Sequence, residues 1–245
     1  MCSIILIHNV LPGIPLLVAA NRDENKDRPA AGPAQGLQGE RRILAPKDLK
    51  AGGTWLGIND AGLFVGITNR FAAPRDDTRR SRGEIPLLAL GQLGPQQALE
   101  ALQAFKPTMF NAFHLLVANR DEARILWSDG QSFHHQLLEP GVHTLTESSF
   151  EAGPPDREQW VEETVNHLIQ TQSLTATALQ KLLGQKKDPS FHGLCVDIPE
   201  INYATRSAAV YGHHANGKQE FLYSERPPDT GPWEELSHLI PSHPF

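Results

Sequence analysis

Apolar positions in this chain come in short runs broken by turn residues, the pattern of a protein built largely from strands. Residues 2–8 (CSIILIH) and 15–20 (PLLVAA) flank Leu11-Pro-Gly13 and predict a hairpin. Both runs are apolar at consecutive positions rather than alternate ones, which suits a sheet buried between two layers. TWLGINDAGLFVGITN (54–69) is the clearest hairpin, with Asn59-Asp-Ala-Gly62 as its turn. Residues 112–118, 123–128 and 131–138 predict three further strands, with Asp129-Gly130 as a turn signal. Residues 191–197, 202–211 and 218–224 predict the last three, and His213-His-Ala-Asn-Gly217 turns the chain between the final two.

The pattern changes to helical spacing in four places. Residues 84–93 and 95–105 form one pair, with Pro95 suited to a first helical position. Residues 156–172 and 174–185 form the second, with Ser173 or Thr175 as its cap. Residues 25–50, rich in Pro, Gly and charge, read as a long loop. The tail from Pro227 is Pro-rich and ends in the short amphipathic WEELSHLI (233–240). The order is strands, a helical pair, strands, a helical pair, strands. It predicts an α+β protein with two helical layers covering two stacked sheets, a four-layer αββα sandwich. No linker interrupts the pattern, so residues 1–245 are expected to form a single domain.

Composition narrows the function classes. The chain has 245 residues, 40% of them hydrophobic, enough for a full-sized core. A formal charge of −6 argues against nucleic acid, which needs clustered Lys and Arg. The one basic run, Arg75-Asp-Asp-Thr-Arg-Arg-Ser-Arg82, is interrupted by acids and reads as a solvated loop or an anion-binding one. No apolar stretch approaches the ~20 residues that span a bilayer, and MCSIILIHNVLPG lacks the features of a secretory signal. The expectation is a cytoplasmic protein with no membrane span. Cys2 and Cys195 do not make a disulfide framework. His134-His135 and His213-His214 are adjacent pairs that point to opposite faces of a strand, so no metal and no cofactor are expected.

Chemistry enters through a repeated string. LLVAANRDE (16–24) is echoed by LLVANRDE (115–122). The second copy fits a polar turn between two antiparallel strands. The first lies across the predicted hairpin from Cys2. Removal of Met1 would put a thiol and a free α-amine on Cys2. An α-amine titrates near pH 8 and can take a thiol proton, a known route to acyl transfer; taken alone, Cys2 also reads as a small buried hydrophobe. Simple pairing around Pro12-Gly13 sets Cys2 near Asn21-Arg22-Asp23, where Arg22 would stabilise a thiolate. Alternation puts Arg22 and Glu24 on one face and Asp23 on the other, and both acids are candidates to assist. Asn69, at the end of GLFVGIT, reads either as a turn residue or as an amide donor to an oxyanion. Arg206 is a charge inside an apolar strand and needs a partner. Trp55 packs or lines a pocket; Cys195 reads as core.

MCSIILI, AANRDEN, DLKAGGTWLGINDAGLFVGITN, SRGE and YATRSAAVY together resemble the NRDE family, the family of transport and Golgi organisation protein 2. The resemblance runs in order from residue 2 to about residue 211. It implies the αββα fold of the N-terminal nucleophile hydrolases, similar to the bile-salt hydrolase and penicillin V acylase group. It also implies a nucleophile and amine from Cys2, a thiolate-stabilising arginine from Arg22, an oxyanion donor from Asn69 and a second site arginine from Arg206. The acid of those hydrolases falls three positions after the arginine, where this chain has Asn25, so Asp23 is a weaker match. A further Asn of their Thr-Asn-Ser stretch is replaced here by Glu147 in Leu145-Thr-Glu-Ser148.

Two functions follow. One is a cysteine-nucleophile hydrolase or acyl-transferase acting on a linear amide. The other is a non-catalytic binding or trafficking protein that keeps the fold, as the family's links to haem and acyl-lipid handling imply. Either way the expected partner is a small molecule: an amide, an acyl-lipid or haem. The pattern leaves the oligomeric state open.

Overall fold

The computed structural model describes residues 2–71 and 75–242. The chain divides into two compact units: the segment up to Asp27 with Pro140–His238, and Arg28–Glu139 with the segment from Leu239.

The first unit is built on one antiparallel sheet. Its strands are β1 (Ser3–Leu11), β2 (Ile14–Asn25), β10 (Gly141–Leu145), β11 (Asp197–Ile198), β12 (Tyr203–His213), β13 (Gln219–Ser224) and β14 (Glu234–Glu235). The spatial order is β10-β1-β2-β12-β13-β14, with β11 paired to β12. The β1–β2 hairpin turns at Pro12-Gly13 as predicted, and Gly13 takes φ +77°, a conformation open to glycine. Helices α3 (Asp156–Gln170) and α4 (Ala176–Leu183) belong to this unit. Of the two predicted caps Thr175 is used, its Oγ1 accepting from Ala178 N at 3.1 Å. Val161, Val165, Leu179, Leu182 and Leu183 of the helices pack on Ile5, Ile7, Ala19, Ala208 and Val210 of the sheet. The faces of β1 and β2 are both buried, which explains their unbroken apolar runs.

The second unit holds a sheet in the order β3-β4-β5-β6-β7-β8-β9. These strands are β3 (Ala30–Gln38), β4 (Arg41–Asp48), β5 (Leu56–Asn59), β6 (Phe64–Asn69), β7 (Phe113–Ala118), β8 (Ala123–Ser128) and β9 (Phe133–Leu138). Helices α1 (Glu84–Leu90) and α2 (Pro95–Gln103) supply Ile85, Ala89, Leu90, Ala98, Leu99 and Leu102 to a core shared with Leu63, Val65, Ile67, Leu115, Val117 and Leu126.

Beyond the short strands β10 and β14, which the sequence pattern does not show, the structure departs from the sequence reading in two places. Residues 25–50 are not a loop: they finish β2 and carry β3 and β4. β3 is an edge strand, mostly exposed, and its register breaks between Ala31 and Ala34, around Gly32-Pro33. Proline is confined to such edges and irregular positions, so this strand shows no alternation and carries loop residues. Residues 191–197 are mostly not a strand: only Asp197–Ile198 pairs, as β11. Leu194, Cys195 and Val196 are nonetheless buried. Their backbone groups are bonded locally, Leu194 N and Cys195 N to Gln185 O at 3.0 Å and Val196 N to Thr205 Oγ1 at 2.8 Å.

Candidate active site around Cys2

The site grows from strand register. β1 pairs with β2 with Ser3 opposite Asn21, so one step further sets Cys2 opposite Arg22. β1 also pairs with β10 with Ile4 opposite Leu145, a register that runs toward Cys2 on one strand and Glu147 on the other. β2 pairs with β12 with Ser207 opposite Arg22. Cys2 therefore lies between the end of β10 and the Arg22 position of β2.

Cys2 is partly accessible. Its thiol lies 3.8 Å from the Asp23 backbone oxygen, which also accepts from the Tyr203 hydroxyl at 2.7 Å. Loss of water around the Cys2 thiol is the largest influence on it and raises its pKa; the N-terminal amine and, more weakly, Arg22 oppose the rise, and the Asp23 charge adds to it. The resting group is thus the neutral thiol, and a base is needed to activate it.

Arg22 is buried. Its Nη2 lies 3.8 Å from Glu24 Oε2, so the two share a face as alternation predicts. Asp23 faces the other way and is also buried. Its Oδ1 accepts from Thr205 Oγ1 at 2.6 Å, while Oδ2 has no hydrogen-bond partner among the described residues. Burial pushes the Asp23 carboxyl up to about 6. A carboxyl tuned toward neutrality is suited to proton exchange.

Arg206 occupies a bulge. The β2–β12 register slips between Thr205 and Ser207, so Arg206 is the extra residue. A bulge re-aims its side chain, and the Arg206 guanidinium donates to the backbone oxygen of Lys26. This is the partner that a charge in an apolar strand requires.

Glu147 is buried and ion-paired, but its partner is Arg157, not Arg22 or Arg206. Arg157 was not singled out from the sequence. It sits in the first turn of α3, beside Glu158, and both are buried. Glu158 Oε1 accepts from Thr146 Oγ1 at 2.5 Å, Ser149 Oγ at 2.8 Å and Ser148 Oγ at 3.1 Å. The start of α3 thus holds the whole Thr146–Ser149 turn.

Asn69 and Trp55 belong to the second unit. Asn69 ends β6, exposed and opposite Phe113. Trp55 precedes β5 and packs partly buried on that unit's core. The second NRDE copy is a turn, as read from the sequence. Asn119 N donates to Glu122 O at 2.9 Å, and Asn119 Oδ1 accepts from Asp121 N and Glu122 N, both at 2.9 Å. Cys195 is buried with its Sγ 3.3 Å from Asp229 Oδ1, and burial with that carboxylate pushes its thiol up to about 12.

Comparison with known proteins places this arrangement. Penicillin V acylase from Agrobacterium tumefaciens is 14% identical with a TM-score of 0.54, over 96% of this chain and 86% of that one. A variant of conjugated bile acid hydrolase from Clostridium perfringens is 10% identical with a TM-score of 0.59, over 97% and 93%. The Caenorhabditis elegans ortholog of N-acylethanolamine-hydrolyzing acid amidase is 12% identical with a TM-score of 0.53, over 85% and 92%. The fold is therefore the α+β, αββα sandwich of the N-terminal nucleophile hydrolases. Among curated relatives, the human transport and Golgi organization protein 2 homolog is 31% identical over 55% of this chain and 49% of its own. The mouse homolog is 40% identical over 55% and 49%. The chain spans about half the length of these relatives. A profile of the Transport and Golgi organisation 2 family matches residues 1–226, from the Cys2 strand through Arg206 and past β13, and the chain belongs to that family.

Proposed function

We propose that this chain is an N-terminal cysteine nucleophile hydrolase or acyl-transferase acting on a linear carbon–nitrogen amide. The observation that carries the reading is the register that sets Cys2 opposite Arg22, with the Asp23 carboxyl pushed up to about 6 beside it. Removal of Met1 frees the Cys2 amine. The amine takes the thiol proton, and the thiolate attacks the amide carbonyl carbon. The resulting tetrahedral intermediate expels the amine, which leaves with that proton. The thioester then passes its acyl group to water or to another acceptor, and the thiol is regenerated. Arg22 stabilises the thiolate, and Arg206 is the second arginine of the site. Neighbours named as an acylase, a bile acid hydrolase and an acid amidase support the amide class.

A second reading has one observation behind it. Glu147, a carboxylate, stands where the resemblance expects an amide donor, and an acceptor there suits a binding protein without turnover. Two measurements on untagged protein test the first reading. Intact mass should show Met1 removed, and iodoacetamide with peptide mapping should alkylate Cys2 at least about tenfold faster than Cys195, whose thiol is buried with a raised pKa. Retained Met1, or equal rates, would defeat the nucleophile assignment and leave the binding reading.

A further inference from the structure

Resting on that reading, we infer that Arg157 is a third arginine of the Cys2 site, a positioning residue that cancels the charge of Glu147 and fixes the turn beside the nucleophile.

The geometry has two independent parts. First, Arg157 and Glu147 form an ion pair with both side chains only 7% exposed. Arg157 also donates from Nη1 to Phe191 O at 3.1 Å, so the guanidinium is anchored on two sides. Second, the next residue of α3, Glu158, collects the three hydroxyls of Thr146, Ser148 and Ser149. Every polar side chain of the 146–149 turn is therefore tied to the first turn of α3, and Glu147 is held where the β1–β10 register runs out beside Cys2.

The charges facing the site show what the pair does. From β2 come Arg22, Asp23 and Glu24; from the 146–149 turn comes Glu147; from β12 comes the neutral Tyr203 hydroxyl. Without Arg157, three carboxylates would face one buried guanidinium, the N-terminal amine and a thiol that must become negative. Arg157 restores the balance. Its charge favours ionised Asp23 while that of Glu147 disfavours it, so both are felt at the Asp23 carboxyl. Glu147 then need not repel a developing oxyanion, because its own charge is matched at contact.

The test is the rate of Cys2 alkylation by iodoacetamide, measured from pH 6 to pH 9 in the untagged full chain. Below the thiol pKa this rate follows the thiolate fraction, tenfold per unit of pKa. Arg157→Met should slow labelling by about three- to tenfold at neutral pH, and Glu147→Gln should speed it by a similar factor. The double variant should lie between the singles. Arg157→Lys, which keeps the charge, should stay within about threefold of wild type and serves where the Met variant folds poorly. A merely structural pair would give faster labelling in both single variants, through loosening, or no change in either; both results overturn the inference. The 13C titration of the Asp23 carboxyl, assigned with Asp23→Asn, separates this from the nucleophile reading. Its midpoint should rise in Arg157→Met and fall in Glu147→Gln even if Cys2 proves inert. Unmoved midpoints in both variants overturn the inference whatever Cys2 does.

Discussion

Replacing Gly53 with Ala is expected to destabilise the protein by roughly 2 kcal/mol. A Cβ at Gly53 would lie 2.4 Å from the Gly83 carbonyl carbon, 2.5 Å from its oxygen and 2.7 Å from its Cα. All three are backbone atoms, so no rotamer change relieves the overlap. The main chain must move, and it is pinned: Thr54 N donates to that same Gly83 oxygen at 3.0 Å, and Asp48 N donates to Gly53 O at 2.8 Å. Overpacking typically costs ~1–3 kcal/mol, and backbone against pinned backbone belongs at the upper end. Opposing this, Gly53 is outside the positive-φ set, so Ala fits its conformation and restricts the unfolded chain, worth ~0.4–1 kcal/mol. The partner glycine provides the internal control. A Cβ at Gly83 would meet Gly53 Cα and Thr54 O at 3.2 Å and Thr54 N at 3.3 Å, a misfit that small shifts relieve. Gly83→Ala should therefore cost less than Gly53→Ala, about 1 kcal/mol or below. Urea unfolding of both variants, compared by midpoint at a common m-value, measures the difference. A Gly53→Ala midpoint equal to wild type, or above that of Gly83→Ala, would refute the packing argument.

Three further outcomes are expected. Arg22→Ala should slow Cys2 alkylation at neutral pH by about tenfold, whereas Arg120→Ala should leave it unchanged; the reverse ranking would exchange the roles of the two NRDE copies. Asp23 titrates near 4 when unfolded and at about 6 when folded, so the native state binds the extra proton between those values. Stability must then fall as pH rises through that window, by about 2–3 kcal/mol from this group. The difference between wild-type and Asp23→Asn stability curves should show that slope, and parallel curves would place the carboxyl in a different environment. Glu147→Asn should raise a Cys2-dependent amidase rate by about tenfold or more, since an oxyanion donor is worth about 10²–10³. A variant no faster than a clearly active wild type would take residue 147 out of the oxyanion region.

The parts of this chain that could be read from sequence are those where one physical rule acts alone. The 54–69 hairpin, the 112–138 meander and all four helices follow from periodicity and turn residues, because each packs one clear face on a core. β3 was illegible because an edge strand with Gly32-Pro33 needs neither alternation nor a full ladder. β10 was illegible because five residues, Gly141–Leu145, carry no period of their own and are ordered by β1. The 191–197 run misled for the opposite reason: it is buried like a strand, but side chains and a local carbonyl satisfy its backbone.

The site divides the same way. The placement of Cys2 against Arg22 and Asp23 was legible because a tight hairpin converts sequence spacing into register. Arg157 was not, since a charged residue in a first helical turn reads as solvated surface until the 146–149 turn is seen folded against it. The glycines of GGTWLG and SRGE offered no chemistry to read, and their contact at Gly53 and Gly83 joins two strings separated by 23 intervening residues, 58 through 80.

The repeated NRDE string shows why motif identity alone does not assign chemistry. In both copies a run of Leu, Val and Ala ends in the same four polar residues. After β7 the strand stops, and Asn119 folds its side-chain oxygen back onto Asp121 N and Glu122 N, so the four residues are consumed in making the corner. In β2 the strand does not stop. Asn21 through Asn25 stay paired to β12, and Asn21 Nδ2 reaches Leu183 O and Leu194 O, both at 2.9 Å, instead of its own turn. Continuing the strand is what lets alternation deal Arg22 and Glu24 to one face and Asp23 to the other. It also leaves Arg22 within reach of the residue that β1 sets opposite it. The same side chains become a corner or part of a strand according to whether a neighbouring strand is there to keep the chain extended.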